Sequence, residues 1–121
     1  MPGLKKYVSV DGGMGDNIRS ALYDAEYRVA LANRDAGDEG QETVTICGKY
    51  CESGDILVKE AKLPPVETGD ILAVFTTGAY NYAMASNYNW NLTPAVVMCS
   101  EGNHRLIVKR QTYDQLIENQ L

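Results

Sequence analysis

Apolar residues along this chain recur mostly at every second position, in short runs bounded by glycine, proline and acidic turn residues, so the pattern predicts strands rather than long helices. Tyr7, Val8 and Val10 open a strand that stops at Asp11-Gly12-Gly13. Tyr27, Val29 and Leu31 alternate with Arg28, Ala30 and Ala32. Alanine favours helix there and period two favours strand; the period decides for a half-buried strand. Further strands are predicted at Thr43 to Cys47, Asp55 to Ala61 and Asp70 to Phe75, the last two separated by Pro64-Pro65 and Thr68-Gly69-Asp70, which no central strand accommodates. Asp35 to Gln41 is polar, carries two glycines and reads as an exposed loop. Ala95 to Cys99 and Arg105 to Lys109 flank Ser100-Glu101-Gly102-Asn103 and predict a hairpin.

Two segments break the alternation. Gly78 to Asn89 is rich in Tyr, Asn and Ala, and Tyr80, Ala83 and Met84 fall on one side of a short helix. After Thr112 a terminal helix is predicted, with Thr112 as cap, Gln115 at the reciprocal capping position and Leu116 and Ile117 as its apolar patch. The expected fold is mainly β: one domain over residues 1–121, a β-sandwich or partly open, Greek-key-like barrel with short helical segments and a short C-terminal helix.

Composition narrows the function. With 121 residues, 45% hydrophobic, the chain has enough apolar material for one core. A net charge of −5 disfavours a nucleic-acid partner, which would need clustered Lys and Arg. No apolar run approaches the roughly 20 residues of a membrane helix, and no apolar signal segment follows the initial Met1-Pro2-Gly3-Leu4-Lys5-Lys6; a cytoplasmic protein without membrane contact is expected. Three cysteines, an odd number without an export signal, are expected as free thiols. Cys47 and Cys99 lie in apolar runs and are expected to pack. A single histidine, His104, leaves a closed zinc site short of ligands, so no metal is expected, and His104 itself reads as a surface residue.

Four stretches carry more glycine and polar residues than a plain sandwich requires: Asp11-Gly12-Gly13-Met14-Gly15-Asp16-Asn17, Arg19 with Tyr23, Cys51-Glu52-Ser53-Gly54-Asp55, and Gly78-Ala79-Tyr80 through Asn89. Taken singly, each also reads as a turn, a solvated charge or a capped helix. Taken alone, Cys51 reads more readily as a small packed side chain than as a reactive group; as a reactive group, a carboxylate as close as Glu52 suits a proton donor better than a thiolate nucleophile.

Taken in order, Val10-Asp11-Gly12-Gly13-Met14 with Asp16-Asn17, Arg19 to Tyr23, Gly48-Lys49-Tyr50-Cys51-Glu52-Ser53-Gly54-Asp55, and Gly78-Ala79-Tyr80 with Met84-Ala85-Ser86-Asn87-Tyr88-Asn89 resemble the carboxy-terminal β-domain of diaminopimelate decarboxylases, in the alanine-racemase-like, fold type III group of pyridoxal phosphate enzymes. The resemblance runs along essentially the whole chain. It implies a parent whose amino-terminal (β/α)8 barrel binds pyridoxal 5'-phosphate through a lysine, with this chain as the β-domain alone, and a head-to-tail homodimer in which the cysteine segment of one subunit enters the site of the other. By position, Cys51 would be the proton donor in decarboxylation of meso-diaminopimelate to L-lysine. Glu52 would recognise the distal amino-acid end of the substrate, Arg19 and Tyr23 would bind its polar groups, and Tyr80 would contact both substrate and cofactor phosphate. Ile18 and Ser20 stand where related sequences often have proline, and Gly15 where they often have serine; Arg19 and Tyr23 are retained. No segment resembles the lysine strand or the phosphate loop of the barrel, so the chain by itself is expected to be inactive and to bind the cofactor poorly. Losing a strand that precedes the barrel would leave an open edge able to self-associate.

Two rival readings follow. Decarboxylases of ornithine, arginine or carboxynorspermidine share this architecture, but Arg19 together with Glu52 suits a zwitterionic far end of the substrate better than a simple amine. A stand-alone, non-catalytic β-barrel binding module is the other; a barrel in the same reading frame would exclude it.

Overall fold

The computed structural model describes residues 4–37 and 40–121. Among the described residues, seven strands and three short helices follow in chain order: β1 Lys6–Ser9, α1 Arg19–Tyr23, β2 Val29–Leu31, β3 Glu42–Cys47, β4 Ile56–Leu63, β5 Leu72–Val74, α2 Asn81–Met84, a 3-10 turn Tyr88–Trp90, β6 Val96–Ser100, β7 Asn103–Val108 and α3 Tyr113–Ile117. They make three sheets, ordered β1-β3-β4, β2-β5 and β6-β7, among the described residues. The mainly β architecture is as expected, and no sheet closes into a barrel. Asp38 and Glu39, within the expected loop, lie outside the described residues.

The core forms where the central strand meets its neighbours. Val44 and Ile46 of β3 are buried with Leu57, Ala61 and Leu63 of β4, and Val8, Val29, Val58, Val66 and Leu72 pack around them. Val29 and Leu72 belong to β2 and β5, so the two-stranded sheet is laid against the three-stranded one, and removal of this apolar surface from water is the main force joining them. Each fully buried aliphatic side chain contributes roughly 1.5–3 kcal/mol. β1 runs parallel to β3, from Lys6 opposite Val44 to Ser9 opposite Cys47, while β4 runs antiparallel to it. Register shifts between Val44 and Ile46 and between Ile46 and Cys47 give β4 extra residues and bend it. The buried Thr45 is satisfied there, its Oγ1 donating to Lys59 O at 2.7 Å.

Several local expectations change. Arg19–Tyr23 was not expected to be helical; its five residues form one turn that ends at Asp24 in the left-handed region, φ 54°. In α2 the buried residue is Asn81, while Tyr80 and Ala83 face solvent, so the proposed apolar side is not the packed one. The hairpin turn is tighter than the four residues suggested: β6 and β7 pair out to Ser100 opposite Asn103, leaving only Glu101 and Gly102 in the loop. Cys99 is exposed, against the packing expected of it, because neither face of β6–β7 is covered by another element. Cys47 is half-buried and donates weakly to Val8 O, and His104 is exposed. The capping box at Thr112 forms with both of its hydrogen bonds, Gln115 N to Thr112 Oγ1 and Thr112 N to Gln115 Oε1.

Candidate functional site

The glycine-rich stretch after β1 is compressed against Tyr50 and Asp55. A Cβ on Gly13 would lie 2.5 Å from the Tyr50 ring, and on Gly15 or Gly48 it would overlap the Tyr50 hydroxyl or the Asp55 carboxylate. These glycines are therefore required by close approach of neighbouring groups. Asp55 is 2% exposed, and its two carboxylate oxygens accept from separate backbone amides, Met14 N at 2.7 Å and Tyr50 N at 2.8 Å. Beside it Asp16 accepts from Gly13 N at 3.0 Å, and burial pushes its carboxyl above the usual aspartate range. Burial, reinforced by Asp16 and Asp55, also raises the Tyr50 phenol. The Tyr50 ring stacks on Tyr88 with centroids 5.7 Å apart, which brings the Tyr88-Asn89 tract to the same place.

Cys51 and Glu52 sit on the turn that Tyr50 and Asp55 bracket, and both are exposed. Glu52 Oε1 accepts from Gly54 N at 3.0 Å, closing a local turn and keeping the carboxylate beside the thiol's own segment. A second group forms around α1. The Arg19 guanidinium lies 4.8 Å from the centroid of the Tyr80 ring and 5.3 Å from that of Tyr23. Residues distant in sequence meet here because α1 follows the glycine-rich loop, while Tyr80 caps α2. Tyr80 itself adopts φ 71°, ψ −37°, a conformation costly for a side chain of this size and concentrated at functional sites. Tyr27 Oη donates to Asn81 Oδ1 at 3.4 Å and ties the residue after Tyr80 to the approach of β2.

Arg19, Arg28, Tyr27, Phe75 and Tyr80 line an open depression of about 350 Å³, with Glu26 as an acid at its wall. Two buried amide nitrogens, Asn17 Nδ2 and Asn81 Nδ2, have no acceptor among the described residues. They neighbour Arg19 and Tyr80 in sequence. The Arg19 guanidinium and the exposed phenols of Tyr23 and Tyr80 form a donor set suited to phosphate or carboxylate oxygens, so these residues fit an anionic cofactor or substrate group. Of the five residues singled out in the sequence, Arg19, Tyr23 and Tyr80 converge, and Cys51 and Glu52 form a separate exposed turn. The buried carboxylate of Asp55 was given no role from the sequence, where it stands only as the last residue of the Cys51-Glu52-Ser53-Gly54-Asp55 stretch. Among the described residues no three His, Cys, Asp or Glu side chains cluster as metal ligands, and no helix is long and apolar enough to cross a membrane.

Residues 2–78 match the family described as pyridoxal-dependent decarboxylase, C-terminal sheet domain, and the chain belongs to that family. Its relatives are more particular. Diaminopimelate decarboxylase of Bacillus subtilis (strain 168) is 54% identical over 98% of this chain, and that of Synechocystis sp. is 56% identical over 97%. The crystal structure of diaminopimelate decarboxylase from M. jannaschii in co-complex with L-lysine superposes over 100% of the chain with a TM-score of 0.88 and 36% identity. The chain spans 27% of the Bacillus protein, 25% of the Synechocystis protein and 27% of that crystallised chain.

Proposed function

We propose that this chain is the C-terminal β-domain of a pyridoxal 5'-phosphate-dependent decarboxylase that converts meso-diaminopimelate to L-lysine and carbon dioxide in the cytoplasm. The observation that carries the proposal is the convergence of Arg19, Tyr23 and Tyr80, with Tyr80 in a strained backbone conformation and the Arg19 charge held over its ring. In this reading an amino-terminal barrel domain of the same protein provides the lysine that holds the cofactor, and a head-to-tail homodimer brings the two domains of different subunits together. The exposure of Cys51 and Glu52, away from any packing role, suits a segment that works in a neighbouring subunit.

The cofactor, when bound, supplies the electron sink that makes loss of carbon dioxide from an amino acid accessible. The residues of this chain would do the rest. The Tyr80 hydroxyl would donate to a phosphate oxygen, and its ring would form a wall of the substrate pocket. Arg19 would fork onto a substrate carboxylate, with Tyr23 donating to the same end, and the ring contacts restrict the guanidinium before substrate arrives. Glu52 would pair with the distal ammonium group. Cys51 Sγ would deliver the proton to the carbon whose bond to carbon dioxide has broken, acting as a positioned general acid.

The test is lysine formation from meso-diaminopimelate with added pyridoxal phosphate, using this chain alone, a separately made barrel half, and the two together. Activity is expected only in the mixture, and Cys51→Ala should lower it by about 100-fold or more, the usual loss when a positioned acid is removed. Activity of the chain alone would overturn the division of labour between the domains. A folded, cofactor-loaded barrel half that gains nothing from this chain would overturn the catalytic reading.

A further inference from the structure

We propose that Asp55 is a positioning residue: its buried carboxylate joins the Cys51–Glu52 turn to the glycine-rich loop leading to Arg19, and so sets the direction in which the turn presents the thiol. The inference rests on the reading of Cys51 as proton donor given above. One oxygen of Asp55 accepts from Tyr50 N, immediately before Cys51, and the other accepts from Met14 N. The backbone of the same residue closes the turn at both ends, with Gly48 N donating to Asp55 O at 3.0 Å and Asp55 N donating to Glu52 O at 3.1 Å. Lys49 N donates to Gly12 O at 3.2 Å, a direct link between the two loops that runs beside the carboxylate.

The two loops cannot shift independently while these bonds hold. Arg19 N in turn donates to Asn17 Oδ1 at 3.2 Å, so the loop that Asp55 grips continues directly into α1. Packing closes the remaining freedom: Gly13 and Gly48 leave no room beside the carboxylate, and Tyr50 is stacked on Tyr88. A carboxylate is suited to this place and an amide is not. Two N–H groups point at its two oxygens, and asparagine would turn an NH2 toward one of them, replacing a charge-assisted bond by a donor–donor contact.

Alkylation of the 121-residue chain by iodoacetamide, followed by mass spectrometry across pH, reads the effect. Cys99, exposed on a different sheet, is the internal reference. The rate at the alkaline plateau, where every thiol is ionised, reports how the thiol is presented rather than its charge. In Asp55→Asn that plateau rate for Cys51 relative to Cys99 should change by about three- to tenfold, the factor equivalent to one net hydrogen bond. An unchanged ratio in a variant that still melts cooperatively overturns the proposal. If the amide variant does not fold, Asp55→Ser, smaller and able to accept from one amide, replaces it under the same criterion. Should neither fold, hydrogen exchange in the unaltered chain decides. Met14 and Tyr50 amides sharing one opening rate support the clamp, and rates more than about tenfold apart, over 1.4 kcal/mol, overturn it. None of these readouts involves decarboxylation: failure to form lysine would overturn the functional reading alone, and an unchanged Cys51 plateau would overturn this inference alone.

Discussion

Asp70 shows how much one side chain can organise on an open surface. Its carboxylate accepts from Arg34 Nε at 2.8 Å and Arg34 Nη2 at 2.7 Å, from Glu67 N at 2.9 Å and from Asn33 Nδ2 at 3.3 Å, fastening the end of β2 to the turn before β5. The Arg34 hydrogen bonds, followed by that from Glu67 N, hold its carboxyl well below the usual aspartate range. A depressed folded-state value means that the unfolded chain binds the proton more readily. The stabilisation is therefore complete above the unfolded aspartate pKa of about 3.9 and is lost as pH falls below it toward the folded value. Asp70→Asn should lower the melting temperature at pH 7, and its difference from the unaltered chain should shrink at pH 3. Thermal denaturation at the two pH values checks this, and a difference that persists undiminished at pH 3 would refute it. The other ion pairs, Lys6 with Glu42 and Lys59 with Asp24, join exposed partners, where screening and side-chain entropy leave little net stability.

Among the elements, the β6–β7 hairpin depends most on its own local chemistry, since it packs mainly on itself. Glu101 and Gly102 both have positive φ, 50° and 74°, the conformation that a two-residue hairpin turn requires in order to match the twist of its strands. A Cβ on Gly102 would meet nothing within 4 Å, so substitution there is a test of backbone strain without a clash. Gly102→Ala should destabilise the hairpin by about 1 kcal/mol, the cost of placing an L side chain in the left-handed region. The expected signature is about fivefold faster amide exchange in β6 and β7 with unchanged protection in β3 and β4, whose core is separate. Equal loss in both sheets would show that the hairpin is energetically part of the main core.

For the molecule as a whole, the uncovered hairpin is the largest departure from a self-sufficient domain. Val97, Met98, Leu106 and Ile107 are each 46–54% exposed, and they lie on both faces of a two-stranded sheet. Apolar side chains left uncovered on both faces favour association, and two strands alone offer unpaired edges. The chain is expected to associate in a concentration-dependent way in sedimentation velocity, and Leu106→Lys should shift it toward monomer. A strictly monomeric chain over the whole concentration range would count against this and leave the family assignment intact.

Strand positions, the hairpin and the terminal cap were legible in the sequence because each depends on near neighbours: alternation for β3, an apolar run for β4, the turn residues Ser100-Glu101-Gly102-Asn103 between two strands, Thr112 three residues before Gln115. The α1 turn was not legible, since five residues are too few for helical periodicity to register and the turn is held by the loop before it. The covering of faces was equally hidden: Cys99 lies in a strand-like apolar run yet is exposed, because burial depends on whether another layer arrives. The candidate residues were read from the order of their motifs, but their grouping was not. Local patterning determined which segments are strands, turns and chemically equipped loops. Only the tertiary structure decided that Arg19 meets Tyr80 and that Asp55 holds Tyr50 to Met14, because such contacts depend on how sheets stack and loops close over tens of intervening residues, and no short-range pattern encodes that.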